Sequence, residues 1–335
     1  MVTLNDIAKK TALSLSVVSR ALNPNPDQQV SPEAKAKVEE AVRKLNYKRN
    51  NTASFMARGK NATIGVFLPN YAYSLVADLS IGLSNEAMRR GFPCNFYYGL
   101  HERDYMDFLA SVKSNGNSGI ISYLPQLEEK TFSEVLADYR KTGGKVLLIN
   151  SPGIPEHGMA SVCIDNQYGG ELAGKHLYER DCREFFCLLT KNSWQSSERC
   201  VGFVDFCKSK KISVHVKYVE VESFQHFKPF KLKEALKPYK RKQVGIFATS
   251  DFIALNAIRE LTINGYQQML GNQIKIIGYD NLPTTQYSVP SLTSVNQSFS
   301  QLGSYGMARL IHMINGINEK LPELPQPQLV IRESA

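Results

Sequence analysis

Along the first sixty residues the apolar positions fall into short stripes at helical spacing. Leu4, Ile7 and Ala8 form one stripe, and Val17, Val18, Ala21 and Leu22 form a second, the signature of two amphipathic helices. Thr3 stands three residues before Asp6, as in a capping box with Asp in the acidic place, and Ser14 is a good N-cap for the second helix. Only a few residues separate the stripes, so the helices must cross in a tight turn with Ala8, Leu13, Val18 and Leu22 in contact. Asn23-Pro24-Asn25-Pro26-Asp27 cannot continue a helix. Ser31-Pro32-Glu33 restarts one with a cap, a proline at the first position and an acid near the positive end. This third helix runs to about Leu45, with Ala34, Val38, Ala41, Val42 and Leu45 packing on the first two. The pattern predicts an all-α helix-turn-helix.

From Thr63 the pattern changes to buried-strand runs separated by amphipathic stretches. The runs are TIGVFL (63–68), CNFYY (94–98), GIISY (119–123), KVLLI (145–149), SVCID (161–165), EFFCLL (184–189), VGIFA (244–248) and IKIIG (274–278). Intervals long enough for crossover helices predict parallel sheets with helices on both faces, and the count fits two doubly wound lobes. In such sheets ligands bind beyond the carboxyl ends of strands, where Asn70, Asp165, Ser250 with Asp251, and Asp280 fall. For each of these carboxylates a helix cap or turn is the rival role; three together favour a site. Trp194, the only tryptophan, lies in a polar loop from Thr190 to Ser197 and is followed by Arg199. Its face suits the apolar face of a sugar ring or a base, with core packing as the alternative.

Charge changes the picture more than composition does. Residues 1–60 carry eleven Lys or Arg against five acids, whereas the other 275 positions carry 29 against 26. That concentration points to a polyanion as the partner of the N-terminus. If the second helix enters a major groove, Leu15, Ser16, Ser19 and Arg20 meet the base edges: Arg20 suits guanine, Ser16 a base or phosphate, and Leu15 a thymine methyl. The bland alternative is a helical hairpin whose polar side faces water.

With 43% hydrophobic and 21% charged residues, the 335-residue chain reads as folded and soluble, in more than one domain. No run is long and apolar enough for a membrane span, and MVTLNDIAKK does not resemble a signal peptide, so the expected location is cytoplasmic. The six cysteines show no zinc spacing and are expected as reduced thiols; no metal or other cofactor is expected, and Cys182 and Cys187 after His176 read as core rather than metal ligands. Gly169-Gly170-Glu171-Leu172-Ala173-Gly174-Lys175 mimics a phosphate loop, but His176 stands where Ser or Thr is required. Its glycines read instead as close packing of a helix on its sheet. No catalytic constellation emerges, so an enzyme is not expected.

The run VTLNDIAKKTALSLSVVSRALN, followed by VSPEAKAKVEEAVRKLNYKRNNTASFMARGK, resembles the DNA-binding end of the lactose repressor/galactose repressor (LacI/GalR) family. IGVFLPN, VCIDNQYGG, ERCVGF, IFATSDFIALNAIRELTINGY, IKIIGYDN and PSLTSVNQ extend the resemblance over nearly the whole chain. It implies a helix-turn-helix domain at 1–49, a hinge helix and linker at 50–60, and a type I periplasmic-binding-protein-like effector domain at 61–335. The implied lobes are about 61–160 with 292–321, and 161–291 with 322–335. The hinge would run from Asn50 to Arg58, with Met56 as the minor-groove wedge and Ala53 one turn earlier.

Carried over position by position, the family's effector contacts fall on Tyr73, Leu75, Leu79, Asp165, Ser193, Arg199, Ser250 and Asp280, with Trp194 and Asp251 added as neighbours. Tyr73-Ser74-Leu75-Val76 replaces the family's frequent Asn-Pro-Phe-Phe, Leu15 replaces a commonly polar residue, and Pro24 to Gln29 is slightly long for the turn. The end LVIRESA lacks the leucine heptads of tetrameric members, so a homodimer is expected. The implied function is repression at a pseudo-palindromic double-stranded operator under control of a sugar-like effector. The rivals are an exported solute-binding protein, which would not carry residues 1–60, and a DNA-binding protein that has lost its ligand.

Overall fold

The structure is a computed structural model that describes residues 2–22, 30–47, 61–70, 74–123, 129–152, 159–223, 226–239 and 241–335. Helices α1 (Leu4–Thr11), α2 (Leu15–Ala21) and α3 (Pro32–Leu45) begin where the caps predict. The Thr3 hydroxyl accepts from the Asp6 N–H at 3.4 Å, and the Asp6 carboxylate accepts from the Thr3 N–H at 2.8 Å. The Ser14 and Ser31 hydroxyls cap α2 and α3 by accepting from the Val17 and Ala34 N–H groups, each at 3.3 Å, without the return bond. Ile7, Val18, Val38 and Ala41 form the buried centre of this head, with Ala8, Leu13, Leu22 and Leu45 packed around them. Such a small core leaves little reserve stability.

The chain folds into two compact units, Met1–Ala72 with Asp78–Val162 and Ser300–Glu323, and Tyr73–Ala77 with Cys163–Phe299 and Leu324–Ala335. The first contains a five-stranded sheet built from β1 (Asn61–Leu68), β2 (Cys94–Tyr98), β3 (Asn117–Ser122), β4 (Lys145–Ile149) and β5 (Ala160–Val162). Their order is β2-β1-β3-β4-β5 and every pairing is parallel. The helices are α4 (Ser74–Arg89), α5 (Glu102–Ser114), α6 (Glu129–Lys141) and, from the far end of the chain, α11 (Phe299–Asn315). Phe67, Tyr105, Phe108, Phe132 and Leu136 fill the space between the sheet and α5 and α6, each such ring or aliphatic group contributing roughly 1.5–3 kcal/mol by burial.

The second unit holds α7 (Asn166–Glu179), β6 (Glu184–Thr190), α8 (Trp194–Ser209), β7 (Val214–Val219), the small hairpin β8 (Val221–Ser223) and β9 (His226–Phe227), α9 (Leu232–Leu236), β10 (Val244–Ala248), α10 (Asp251–Ile263), β11 (Ile274–Tyr279), β12 (Thr293–Asn296) and β13 (Gln328–Val330). Its six-stranded sheet runs β13-β12-β11-β10-β6-β7, parallel except for β13. Alternation along β6 sends Phe185 and Cys187 to the α7 and α8 face and Phe186 and Leu188 to the α9 and α10 face. Cys182, Cys187, Cys200 and Cys207 are buried free thiols.

Two expectations need correction. Residues 292–299 belong with the second unit rather than the first, because β12 pairs with β11 and is closed by the antiparallel β13. The glycines of the phosphate-loop mimic also do more than seat a helix on its sheet. A Cβ at Gly169 would meet the Tyr279 hydroxyl of β11, but one at Gly170 would lie 2.0 Å from the Arg199 carbonyl oxygen on α8. Gly202 answers from α8, where a Cβ would lie 1.9 Å from the Gln167 carbonyl oxygen. The two helices therefore touch backbone to backbone.

Candidate functional site

Two places gather the residues singled out by the sequence. The first is α2. Val18 faces the core, which turns Leu15, Ser16, Ser19 and Arg20 outward together, all exposed. Leu15 is 46% exposed, a large apolar side chain at the helix N-terminus with no core role. Arg20 is lightly tethered, its Nε donating to the Ser16 carbonyl at 3.4 Å, so its guanidinium retains donors for a partner. The hinge residues Asn50, Ala53 and Met56 lie outside the described residues, as does Tyr73.

The second place is the carboxyl rim of the second sheet. The chain leaves β6 toward β7 on one side, while β10, β11 and β12 build away on the other, so the direction of winding reverses between β6 and β10. At this seam Ser196 of α8 and Thr249, just beyond β10, bond through their hydroxyls at 2.8 Å. Such a reversal leaves a crevice at the strand ends.

Arg199 occupies that region. It is 6% exposed; its Nε donates to Asn166 Oδ1 at 2.9 Å and its Nη1 donates to the Thr249 carbonyl at 2.7 Å and to Asp280 Oδ1 at 3.3 Å. The guanidinium carbon sits 3.8 Å from the centroid of the Tyr279 ring, a cation–π contact in a desolvated setting. Asp280 also accepts from Gln297 Nε2. Burial raises the Asp280 carboxyl to about 6 even though Arg199 and Gln297 pull it down. Backbone φ values of 114° at Asp280 and 52° at Asn281 hold this turn in an uncommon conformation. Arg332 bonds Asn281 Oδ1 at 2.7 Å and helps to keep it there.

Around this ion pair the rim is lined by helix starts. Ser193 caps α8, Ser250 caps α10 and Asp165 caps α7, each by a side-chain oxygen that accepts an N–H three residues on. Trp194 is the first residue of α8 and is 36% exposed. The core reading of Trp194 therefore does not hold.

Two expected contacts are corrected. Asp251 is fully buried, and both carboxylate oxygens are used inside the fold, Oδ1 by the Ser294 hydroxyl at 2.6 Å and Oδ2 by the Leu282 N–H at 2.7 Å. It ties α10 to β12 and presents nothing to a ligand. Leu79 is 1% exposed and belongs to the core of the first unit, while Leu75 is half-buried in the first turn of α4. Asn166, Thr249 and Gln297 were missed. Asn166 follows the noted Asp165 and Gln297 ends the noted PSLTSVNQ, but nothing local marks either as an Arg or Asp partner.

An exposed polar helix face held by a three-helix core, joined to two parallel-sheet units with a buried ion pair at a strand-end rim, defines a DNA-binding regulator with a small-molecule sensor. Residues 3–50 match the bacterial regulatory proteins of the lacI family, and residues 175–335 match the periplasmic binding protein-like domain. The chain thus combines a lacI-family helix-turn-helix domain with a periplasmic binding protein-like domain. It is 26% identical to the NTD biosynthesis operon regulator NtdR of Bacillus subtilis (strain 168), with 100% of each chain covered. It is 25% identical to the HTH-type transcriptional repressor PurR of Pectobacterium carotovorum subsp. carotovorum (strain PC1), over 100% of this chain and 97% of that one. Its fold matches the lac repressor dimer bound to operator and the anti-inducer ONPF with a TM-score of 0.67 and 22% identity, covering 99% and 98% of the two chains.

Proposed function

We propose that the protein is a repressor that binds a pseudo-palindromic operator as a homodimer, with its DNA affinity set by a small sugar-like effector. In this reading α2 enters the major groove and Leu15, Ser16, Ser19 and Arg20 read base edges. Asn50, Ala53 and Met56 contact the minor groove between the half-sites. The effector lies on the rim of the second sheet, where Arg199 and Asp280 offer donors and an acceptor to hydroxyls, Trp194 covers an apolar ring face, and Asp165, Ser193 and Ser250 border the site with Tyr73 and Leu75. The role is binding rather than catalysis, in the cytoplasm. No helix among the described residues is long and apolar enough to cross a membrane.

The observation that carries this reading is that one chain joins an outward α2 face, free of any core task, to a buried Arg199 held through Nε and Nη1 at a sheet reversal point. A solute-binding protein needs only the latter. Selection from a random duplex pool at physiological salt, with and without a panel of mono- and disaccharides, tests it. An enriched inverted repeat whose occupancy changes with one sugar is the expected result. Failure to enrich any sequence refutes the DNA half, and enrichment indifferent to every sugar refutes the effector half.

A further inference from the structure

Strand β7 is one edge of the second sheet and pairs with β6 alone. Among the described residues no backbone N–H or carbonyl of Val214–Tyr218 has a partner on the outer side, so a row of main-chain donors and acceptors faces solvent. The register sets Val216 beside Cys187 and Tyr218 beside Leu189, on the face that α8 covers, yet at the margin of the sheet the two side chains remain 45% and 55% exposed. Charge collects along the same edge. Residues 208–242 carry eleven Lys or Arg against three acids, whereas the rest of positions 61–335 carry 18 against 23. Lys210 and Lys211, both exposed, stand just before the strand, and near its far end Lys191 lies over the Tyr218 ring, 6.0 Å from the centroid. Just past the strand Glu220 takes an ion pair from Lys228 at 2.7 Å and also feels Lys191 and Lys231, so a single carboxylate meets three cations there. A strand of this length spans about 20 Å, and the edge is apolar and aromatic along its middle with positive charge at each end.

We propose that β7 is a docking edge for an extended acidic segment of another protein, which adds to the sheet as a further strand with carboxylates toward its two ends. Main-chain pairing supplies the affinity, and alternate side chains of the segment settle against Val216 and Tyr218. The cations at the ends select an acidic segment over a basic one. A second copy of this chain does not fit, because a two-fold pairing of β7 with itself sets like charges against each other. Lysines on edge strands commonly guard against such self-pairing, and Lys217 fills that role. The same guard leaves the edge open to a strand of opposite charge. A nucleic acid would meet the charge but has no peptide amides to match the open ladder.

Fluorescence anisotropy on the full chain, with the labelled peptide acetyl-Glu-Glu-Val-Thr-Val-Thr-Glu-Glu-amide as probe, tests the assignment. At low salt it should bind with a dissociation constant below about 1 mM, weaken as salt is added, and slow amide hydrogen exchange within Val214–Tyr218. The counterpart with lysine for every glutamate should not bind. A peptide N-methylated on its central Val and Thr residues should bind roughly tenfold or more weakly, through loss of its main-chain donors. The double variant Lys211→Glu with Lys231→Glu, both at exposed positions, should weaken the acidic peptide by at least about as much at an unchanged melting temperature. Absence of binding by the acidic peptide to the wild type overturns the proposal. Equal binding of the N-methylated peptide removes strand addition and also overturns it. Displacement of the acidic peptide by an equimolar oligothymidylate would reassign the edge to nucleic acid.

Discussion

The three-helix head and the second α/β unit handle polar groups in opposite ways. The head puts Leu15, Ser16, Ser19 and Arg20 in water and keeps a four-residue buried centre of Ile7, Val18, Val38 and Ala41. The second unit takes Arg199, Asp280, Asn166 and Gln297 out of water and satisfies them largely with one another. In the head, therefore, the residues proposed to read DNA are not those that hold the fold. In the second unit the residues proposed to meet the effector are also those that hold the fold, because a buried charge that loses its partner is penalised heavily.

The comparison predicts a graded series. Arg199→Ala leaves Asp280 buried without its cation and should destabilise the second unit by about 3–5 kcal/mol, read as a lower urea midpoint; an unchanged midpoint would mean that the pair is hydrated in solution. Ile7→Ala should come next, about 2–5 kcal/mol from a large-to-small change in a core with few other members, abolishing operator binding while sugar-induced thermal shifts persist. Arg20→Ala should weaken operator binding by about 1–3 kcal/mol and relax specificity at one base pair. Its melting temperature should not move, and a fall of several degrees would break the separation drawn for the head.

The smallest expected effect is a dependence on pH. Burial raises the Asp280 carboxyl from 3.8 to about 6, so between those values the folded state binds more protons than the unfolded one. Stability from this group is full below pH 3.8 and declines as pH rises toward 6. Asp251, raised in the same direction by burial and by Asp280, adds to the slope. Asp280→Asn should flatten it, as measured by urea unfolding at several pH values across that window.

Much of the head was legible because its determinants are local. Thr3 with Asp6, Ser14, and Ser31 with Pro32 act within one turn of themselves, and the structure uses each as the spacing predicts. The strands buried on both faces, such as β3 and β10, were legible as apolar runs. β7 and β12 were not. β7 is an edge strand in VHVKYV whose polar residues reach solvent. β12 is TSVN, polar in sequence yet buried, because Thr293 and Ser294 spend their hydroxyls on Arg332 and Asp251. The rim showed the same limit. Arg199 and Asp280 were each visible, but their pairing spans 81 positions, and the partners Asn166, Thr249 and Gln297 are ordinary polar residues until the chain folds. Asp251 was misread for the complementary reason: a carboxylate after a strand looks the same whether it faces a ligand or a neighbouring strand.

The backbone contact between α7 and α8 at Gly170 and Gly202 bears on how such a sensor can change its preferences over generations. Asn166 and Arg199 are held in register by two main chains that meet without intervening side chains. The frame is consequently indifferent to what stands at the exposed Trp194, whereas Ser193 and Asp165 cap the two helices and change only at a cost to their first turns. Trp194 is open to drift, the caps admit a few polar replacements and the glycine pair admits almost none, a division between inherited scaffold and adjustable surface that backbone geometry imposes.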